Sequence, residues 1–180
     1  MKYQTLQSET AYQGKAFKVR RDQVSLPDGH IAHLDIVEHI GAVTILPVDD
    51  EGRIWFVRQY RHPAGQELLE LPAGTLEPGE PPEACARREI REEVGQAAGE
   101  LRKLGEFFLA PGYSTETMHV FLATELYPDP LPGDHDEFLS VETYPLADVF
   151  KMVLRGEIQD AKTLATLLLA QQVLRQGWLN

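Results

Sequence analysis

Basic charge is what this sequence has least of in relation to its counterpart: 17 lysines and arginines stand against 28 acidic residues, a formal net charge of -11. That balance argues against non-specific attraction to nucleic-acid backbones or anionic membranes, and neither is expected as a partner. Cysteine is nearly absent. The single Cys85 cannot form an intramolecular disulfide, which fits a reducing compartment. Flanked by Ala84 and Ala86 in a helical stretch, it reads as a small core residue rather than a nucleophile. Long apolar runs are missing too: no stretch approaches the roughly 18 residues of a membrane span. The opening "MKYQTLQSETAYQGK" lacks the apolar run of a signal peptide, so a soluble, cytoplasmic protein is expected. There is no internal repeat and no disordered linker.

What is present suits one substantial domain with a small extra module, with 43% hydrophobic residues over 180 positions. Residues 12 to 39 read as short strands, because Val19, Val24, Leu26, Ile31, Leu34, Ile36 and Val37 alternate with polar residues and Pro27-Asp28-Gly29 is turn chemistry. Such a small sheet needs something to pack on. From Ala42 the apolar runs "AVTILPV" and "RIWFVRQY", joined by "DDEGR", predict central strands. "ELLELPAG" predicts a short strand and turn, "TLEPGEPP" a loop, and Pro82 to Val94 a helix stopped by Gly95. Further strands are expected in "LRKLGEFFLA", "TMHVFLATEL" and "FLSVETYPL". Helices are expected in "LADVFKMVLRG" and "DAKTLATLLLAQQVLRQG", whose leucines read as core or subunit contact. The order of elements predicts a mixed α/β sandwich.

The stretch "GTLEPGEPPEACARREIREEVGQ", residues 74 to 96, concentrates like charge. On a helix Glu89, Glu92 and Glu93 share one broad face, and each like-charged neighbour pair costs roughly 0.2 to 0.5 kcal/mol. One reading is a solvated face relieved by Arg87, Arg88 and Arg91. The other is a hard-cation site, because Mg²⁺ takes carboxylates, substrate phosphates and water. Such an ion would also bridge an anionic substrate to an acidic protein.

Gly74, five residues, Glu80, seven residues and then Arg88-Glu89-Ile90-Arg91-Glu92-Glu93-Val94-Gly95 resembles the Nudix box, GX5EX7REUXEEXGU. Only the final apolar position departs, where Gln96 stands. The resemblance implies an α/β fold, the Nudix α/β/α sandwich with a mixed central sheet, and hydrolysis of a nucleoside diphosphate linked to another group with Mg²⁺ or Mn²⁺. It implies that Glu89 and Glu93 are principal metal ligands, Glu92 a further ligand or water-positioning group, and the Ala73 carbonyl a backbone ligand. Arg88 would pair with Glu80 as scaffold, and Gly74 and Gly95 would be backbone devices.

Outside the box, "VRQYRHPAG", "ELPAG" and "APGYSTETMHVFLA", with Pro111 sixteen residues beyond Gly95, resemble the ADP-ribose pyrophosphatase branch. That likeness implies that Arg61 contacts substrate phosphate rather than serving as a surface cation. Gly112 would lie near the adenosine or ribose, and Glu116 would support metal or water. In this branch a loop carboxylate can approach the attacking water. "GDHDEFLSVE" places Asp136 and Glu137 there, with Glu137 preferred as base, Glu92 its rival, and His135 read as solvated. Residues 1–40, with "DIVEH" near their end, resemble an antiparallel β-sheet module through which such enzymes form homodimers and complete each other's adenine pockets. Residues 41–180 would be the catalytic domain. Lys15, His33 and Asp35 stand where the branch uses polar residues for substrate contact.

The expectation is therefore an Mg²⁺-dependent homodimeric hydrolase cleaving ADP-ribose to AMP and ribose 5-phosphate. Sister specificities are GDP-mannose or other ADP-sugars, and a different class of reading is a non-catalytic nucleotide sensor.

Overall fold

The computed structural model describes residues 2–15, 17–133 and 138–175. Its contacts divide the chain into two units, one built from the N-terminal sheet with Phe108–Thr117 and one from the remaining residues after Gly41. Among the described residues no helix is long and apolar enough to cross a membrane.

In the first unit β1 (Gln4–Gln13), β2 (Lys18–Ser25) and β3 (Ile31–Glu38) form an antiparallel sheet in that order. The β2–β3 turn closes through Leu26 N–H to the His30 carbonyl at 2.8 Å, with Gly29 at φ +86°. Strand β1 lies ahead of the stretch predicted to be extended, apart from its last two residues, Tyr12 and Gln13. Every one of its residues is exposed, so it carries no buried alternation by which to recognise a strand, and it is shaped by its pairing with β2. At its centre Ser8 Oγ donates to the buried Asp22 at 2.6 Å and Arg20 Nε donates at 3.1 Å. The Ser8 bond, opposed by desolvation and helped by Arg20, holds Asp22 below the usual carboxylate range. Segment Phe108–Thr117 adds to this unit through Val37 N–H to the Tyr113 carbonyl at 2.8 Å and Thr115 N–H to the Val37 carbonyl at 3.0 Å.

The second unit holds two sheets. One runs β10 (Leu139–Pro145), β5 (Arg53–Arg61), β6 (Gln66–Glu70), all antiparallel. The other runs β7 (Ala73–Thr75), β4 (Ala42–Pro47), β9 (Thr117–Pro128), β8 (Gln96–Phe108), with β4 parallel to β9 and antiparallel to β7. Side chains alternate across these strands, and the alternation feeds two cores. Val43, Ile45, Val57, Phe121 and Ala123 pack with Cys85, Ala86 and Ile90 of helix α1 (Pro82–Glu93). Leu46, Ile54, Phe56 and Leu122 pack with Val149 and Met152 of α2 (Leu146–Leu154) and Leu167 of α3 (Ala161–Arg175). Helices thus cover both faces, and the architecture is the expected mixed α/β sandwich.

Helix α1 starts with Pro81 as N-cap and Pro82 in the first turn, where a missing N–H costs nothing. It ends at Val94, followed by Gly95 at φ +70°, a left-handed conformation that favours glycine. Its buried residues are Cys85, Ala86, Glu89, Ile90 and Glu93. Two glutamates therefore share the face that docks on the sheet.

Candidate active site

The short strand β7 and helix α1 meet at the glutamates. Thr44 of β4 pairs with Ala73 and Val43 with Gly74, which fixes the β7 backbone beside the helix. Ala73 N–H donates to Glu93 Oε2 at 2.9 Å. At Gly74 an added Cβ would overlap the Glu89 carboxylate, so only glycine leaves that carboxylate its place. Glu89 and Glu93 are each 8% exposed, a costly position for charge that is not compensated.

Arg88 supplies compensation. Its Nε and Nη2 donate to the two Glu80 oxygens at 3.1 Å each, and its Nη1 donates to Glu89 at 2.7 Å and Glu92 at 2.8 Å. Glu80 also accepts the Glu77 N–H at 2.9 Å, so the proline-glycine loop is fastened to the helix at one carboxylate. The Arg88 guanidinium is the main reason that Glu80 is held down at about 2, against the opposing effect of burial. Glu80 in turn is the largest influence raising Arg88. The other two arginines point elsewhere: Arg87 bonds Glu83 and the Ala98 carbonyl, and Arg91 bonds the Asp129 carbonyl. Mixed charge does relieve the face, but through one cation shared by three carboxylates.

This donor set suits a hard divalent cation. Glu89 and Glu93 present carboxylate oxygens, Glu92 stands on the same helix, and Gly74 keeps the approach to Glu89 clear. Among the described residues no three His, Cys, Asp or Glu side chains already converge as a metal cage.

Arg61 ends β5. Its Nε and Nη2 donate to Glu70 at 2.8 and 2.7 Å, which leaves the Nη1 edge turned away from that carboxylate. Glu70 is 1% exposed and also accepts from Lys162. Burial opposes ionisation of Glu70, but Arg61 and Lys162 together outweigh it and hold the carboxyl below its usual range. Glu70 and Lys162 were not singled out from the sequence. The available signal was a charged residue flanked by Leu69 and Leu71 at the end of a short strand, which needs a cation where that segment is buried.

Gly112 and Glu116 belong to the first unit. A Cβ at Gly112 would meet nothing within 4 Å. Glu116 is half-buried, its N–H donates to Ser114 Oγ at 3.2 Å, and its carbonyl accepts the Leu109 N–H. Asp136, Glu137 and His135 lie outside the described residues. Gln96, the odd residue of the box, is half-buried and opens β8.

Residues 38–167 match the NUDIX domain family. The chain belongs to the Nudix family. Residues 3–33 of this Nudix protein match a second family, the nucleoside diphosphate sugar hydrolase N-terminal domain. An ADP-ribose pyrophosphatase of Mycobacterium tuberculosis is 44% identical over 174 residues, 95% of this chain and 84% of the relative. Another from Bacillus subtilis is 42% identical over 161 residues, 88% of this chain and 87% of the relative. The crystal structure of an ADP compounds hydrolase superposes with a TM-score of 0.90 at 28% identity, covering 98% of this chain and 97% of that one.

Proposed function

We propose that this Nudix protein hydrolyses the pyrophosphate bond of ADP-ribose, releasing AMP and ribose 5-phosphate. The observation that carries the reading is the meeting of Glu89 and Glu93 with the β7 backbone at Ala73 and Gly74, in a chain whose relatives bear that activity in their names. In the reaction a water oxygen forms a bond to one phosphorus, the bridging P–O bond breaks to the other phosphate, and the water protons are released.

Glu89, Glu93, Glu92 and the Ala73 carbonyl would hold Mg²⁺, or Mn²⁺ in its place. When bound, the cation supplies positive charge to the phosphoryl oxygens. Arg61 offers its Nη1 edge to the diphosphate, a role suited to a planar, always charged guanidinium. Arg88 and Glu80 hold the loop and helix together, and Gly74 and Gly95 let the backbone approach and turn. Glu92 and Glu137 are the two candidates to take the proton from the attacking water. Glu116 supports metal or water, and Gly112 borders the adenosine or ribose.

Residues 1–40 serve as a module for homodimer formation and substrate contact. In support, Tyr3, Leu6 and Tyr12 present exposed apolar groups on or beside β1, whereas a free edge strand usually carries charge. Light scattering on the purified protein should give the mass of a dimer.

The test of function is release of AMP or GMP from ADP-ribose, ADP-glucose and GDP-mannose, with Mg²⁺. ADP-ribose should turn over with the highest kcat/KM. Absence of its hydrolysis overturns the reading, and preference for GDP-mannose replaces it with the sister specificity.

A further inference from the structure

Glu70 is a charged residue that the reaction chemistry does not use, and it is almost completely buried. Three elements meet on it. Arg61, at the end of β5, donates to both of its oxygens at 2.8 and 2.7 Å. Lys162, in the first turn of α3 and 9% exposed, donates to the same carboxylate. Lys162 is in turn 3.1 Å from Asp160, whose Oδ2 caps the helix by accepting the Thr163 N–H at 2.9 Å and the Thr163 hydroxyl at 2.6 Å. Thr163 Oγ1 then accepts the Leu71 N–H at 2.9 Å. The start of α3 is thereby tied to two consecutive residues of the chain leading into β7.

Stability alone is a poor reason for such an arrangement. Taking a lysine and a carboxylate out of water costs several kcal/mol per ion, and a well-packed apolar replacement is often as stable or more so. What the arrangement does provide is orientation. With both Glu70 oxygens occupied, the plane of the Arg61 guanidinium is set, and its side chain, 40% exposed, points one remaining edge away from the buried carboxylate. An arginine fixed before its ligand arrives does not spend rotamer freedom on binding.

We propose that Glu70 and Lys162 are positioning residues for Arg61, holding its guanidinium in the orientation that receives a substrate diphosphate. The proposal rests on the reading that Arg61 binds diphosphate, and is indifferent to the sugar and base attached.

The experiment is a double-mutant cycle. Lys162→Met and Lys162→Arg are made in the wild-type and in an Arg61→Ala background. For each protein kcat and KM are measured on the best substrate, and ADP affinity by titration calorimetry. In the wild-type background Lys162→Met should raise KM and the Kd for ADP by about tenfold with a much smaller change in kcat, the pattern of a lost binding contribution. Lys162→Arg should restore most of the affinity. In the Arg61→Ala background Lys162→Met should change either constant by no more than about twofold, because coupled residues are not additive. Equal losses in both backgrounds, or no loss in the wild type, overturn the proposal, as does ADP binding that is insensitive to Arg61→Ala. If thermal melts show Lys162→Met unfolded at the assay temperature, Glu70→Gln, which keeps the shape but turns one acceptor oxygen into an NH₂ donor that cannot accept from Arg61 or Lys162, takes its place in the same cycle under the same criteria. Coupled ADP affinities without ADP-ribose hydrolysis would defeat only the proposed function, whereas ADP-ribose hydrolysis with additive effects defeats only the positioning role.

Discussion

Ala73 and Glu93 are joined by a backbone N–H to carboxylate hydrogen bond of 2.9 Å, across twenty positions of sequence. The bond orients the Glu93 carboxylate against the β7 backbone. Replacing Glu93 by glutamine keeps an acceptor for the Ala73 N–H, removes the charge and turns the other oxygen into an NH₂ donor. Turnover should fall by at least about a hundredfold, since even residues supporting a metal ligand cost 10- to 100-fold, while the melting temperature moves by no more than about 4 °C. Turnover unchanged at saturating Mg²⁺ would remove Glu93 from the metal site.

Gly74 faces Glu89, and a Cβ there would collide with the carboxylate. The atoms displaced are the far end of a flexible side chain, so Gly74→Ala should cost no more than about 1 kcal/mol in stability. Activity should suffer far more, because a displacement of about 1 Å in a catalytic group can cost about a hundredfold. Denaturant melts and Mn²⁺ titration of the same variant would read the two effects separately; a large loss of stability with retained metal affinity contradicts the assignment.

Glu70 supplies a pH dependence. Its ionised form is favoured in the fold by Arg61 and Lys162 despite burial, so its folded pKa is lowered. The stability it contributes is present above its unfolded value of about 4.3 and is lost as pH falls through the folded one. Wild type should therefore exceed Glu70→Gln by about 3–5 kcal/mol at neutral pH, and the two should converge on acidification. A gap that does not begin to shrink as the pH falls below the unfolded value would contradict the pairing.

Cys85 is fully buried against β4 and β5 residues, and burial is the main reason its thiol is pushed up above the usual range. The native protein should not react with a thiol reagent such as dithionitrobenzoate until denaturant is added. Cys85→Ala should cost about 1 kcal/mol with kcat unchanged. Rapid labelling of the native state would show that the helix face is open.

The helix and its glutamates could be read from the sequence because the information is local: prolines at one end, a glycine at the other, and carboxylates at helical spacing. Continuous apolar runs likewise revealed β4 and β5, and alternation with polar residues revealed β2 and β3. It could not reveal β1, whose residues are all exposed and whose register comes from β2. Nor could it reveal that Arg88 reaches Glu89 and Glu92 as well as Glu80, since rotamer choice decides which carboxylates a guanidinium spans. Glu70 and Lys162 are 92 residues apart, and their pairing depends on which face of α3 packs over β6. The leucines of that helix conveyed the packing, and a lysine in its first turn looked like ordinary surface charge.

The tie between α3 and the strand before β7 also bears on the order in which the protein is made. Glu70 and Leu71 leave the ribosome long before Lys162 and Thr163, the residues 92 positions later that satisfy them. A nascent chain halted ahead of Asp160 would already contain the whole glutamate helix, yet its buried carboxylate would lack one cation and its Leu71 N–H an acceptor. The geometry around Arg61 is thus completed only once Lys162 and Thr163 have been made.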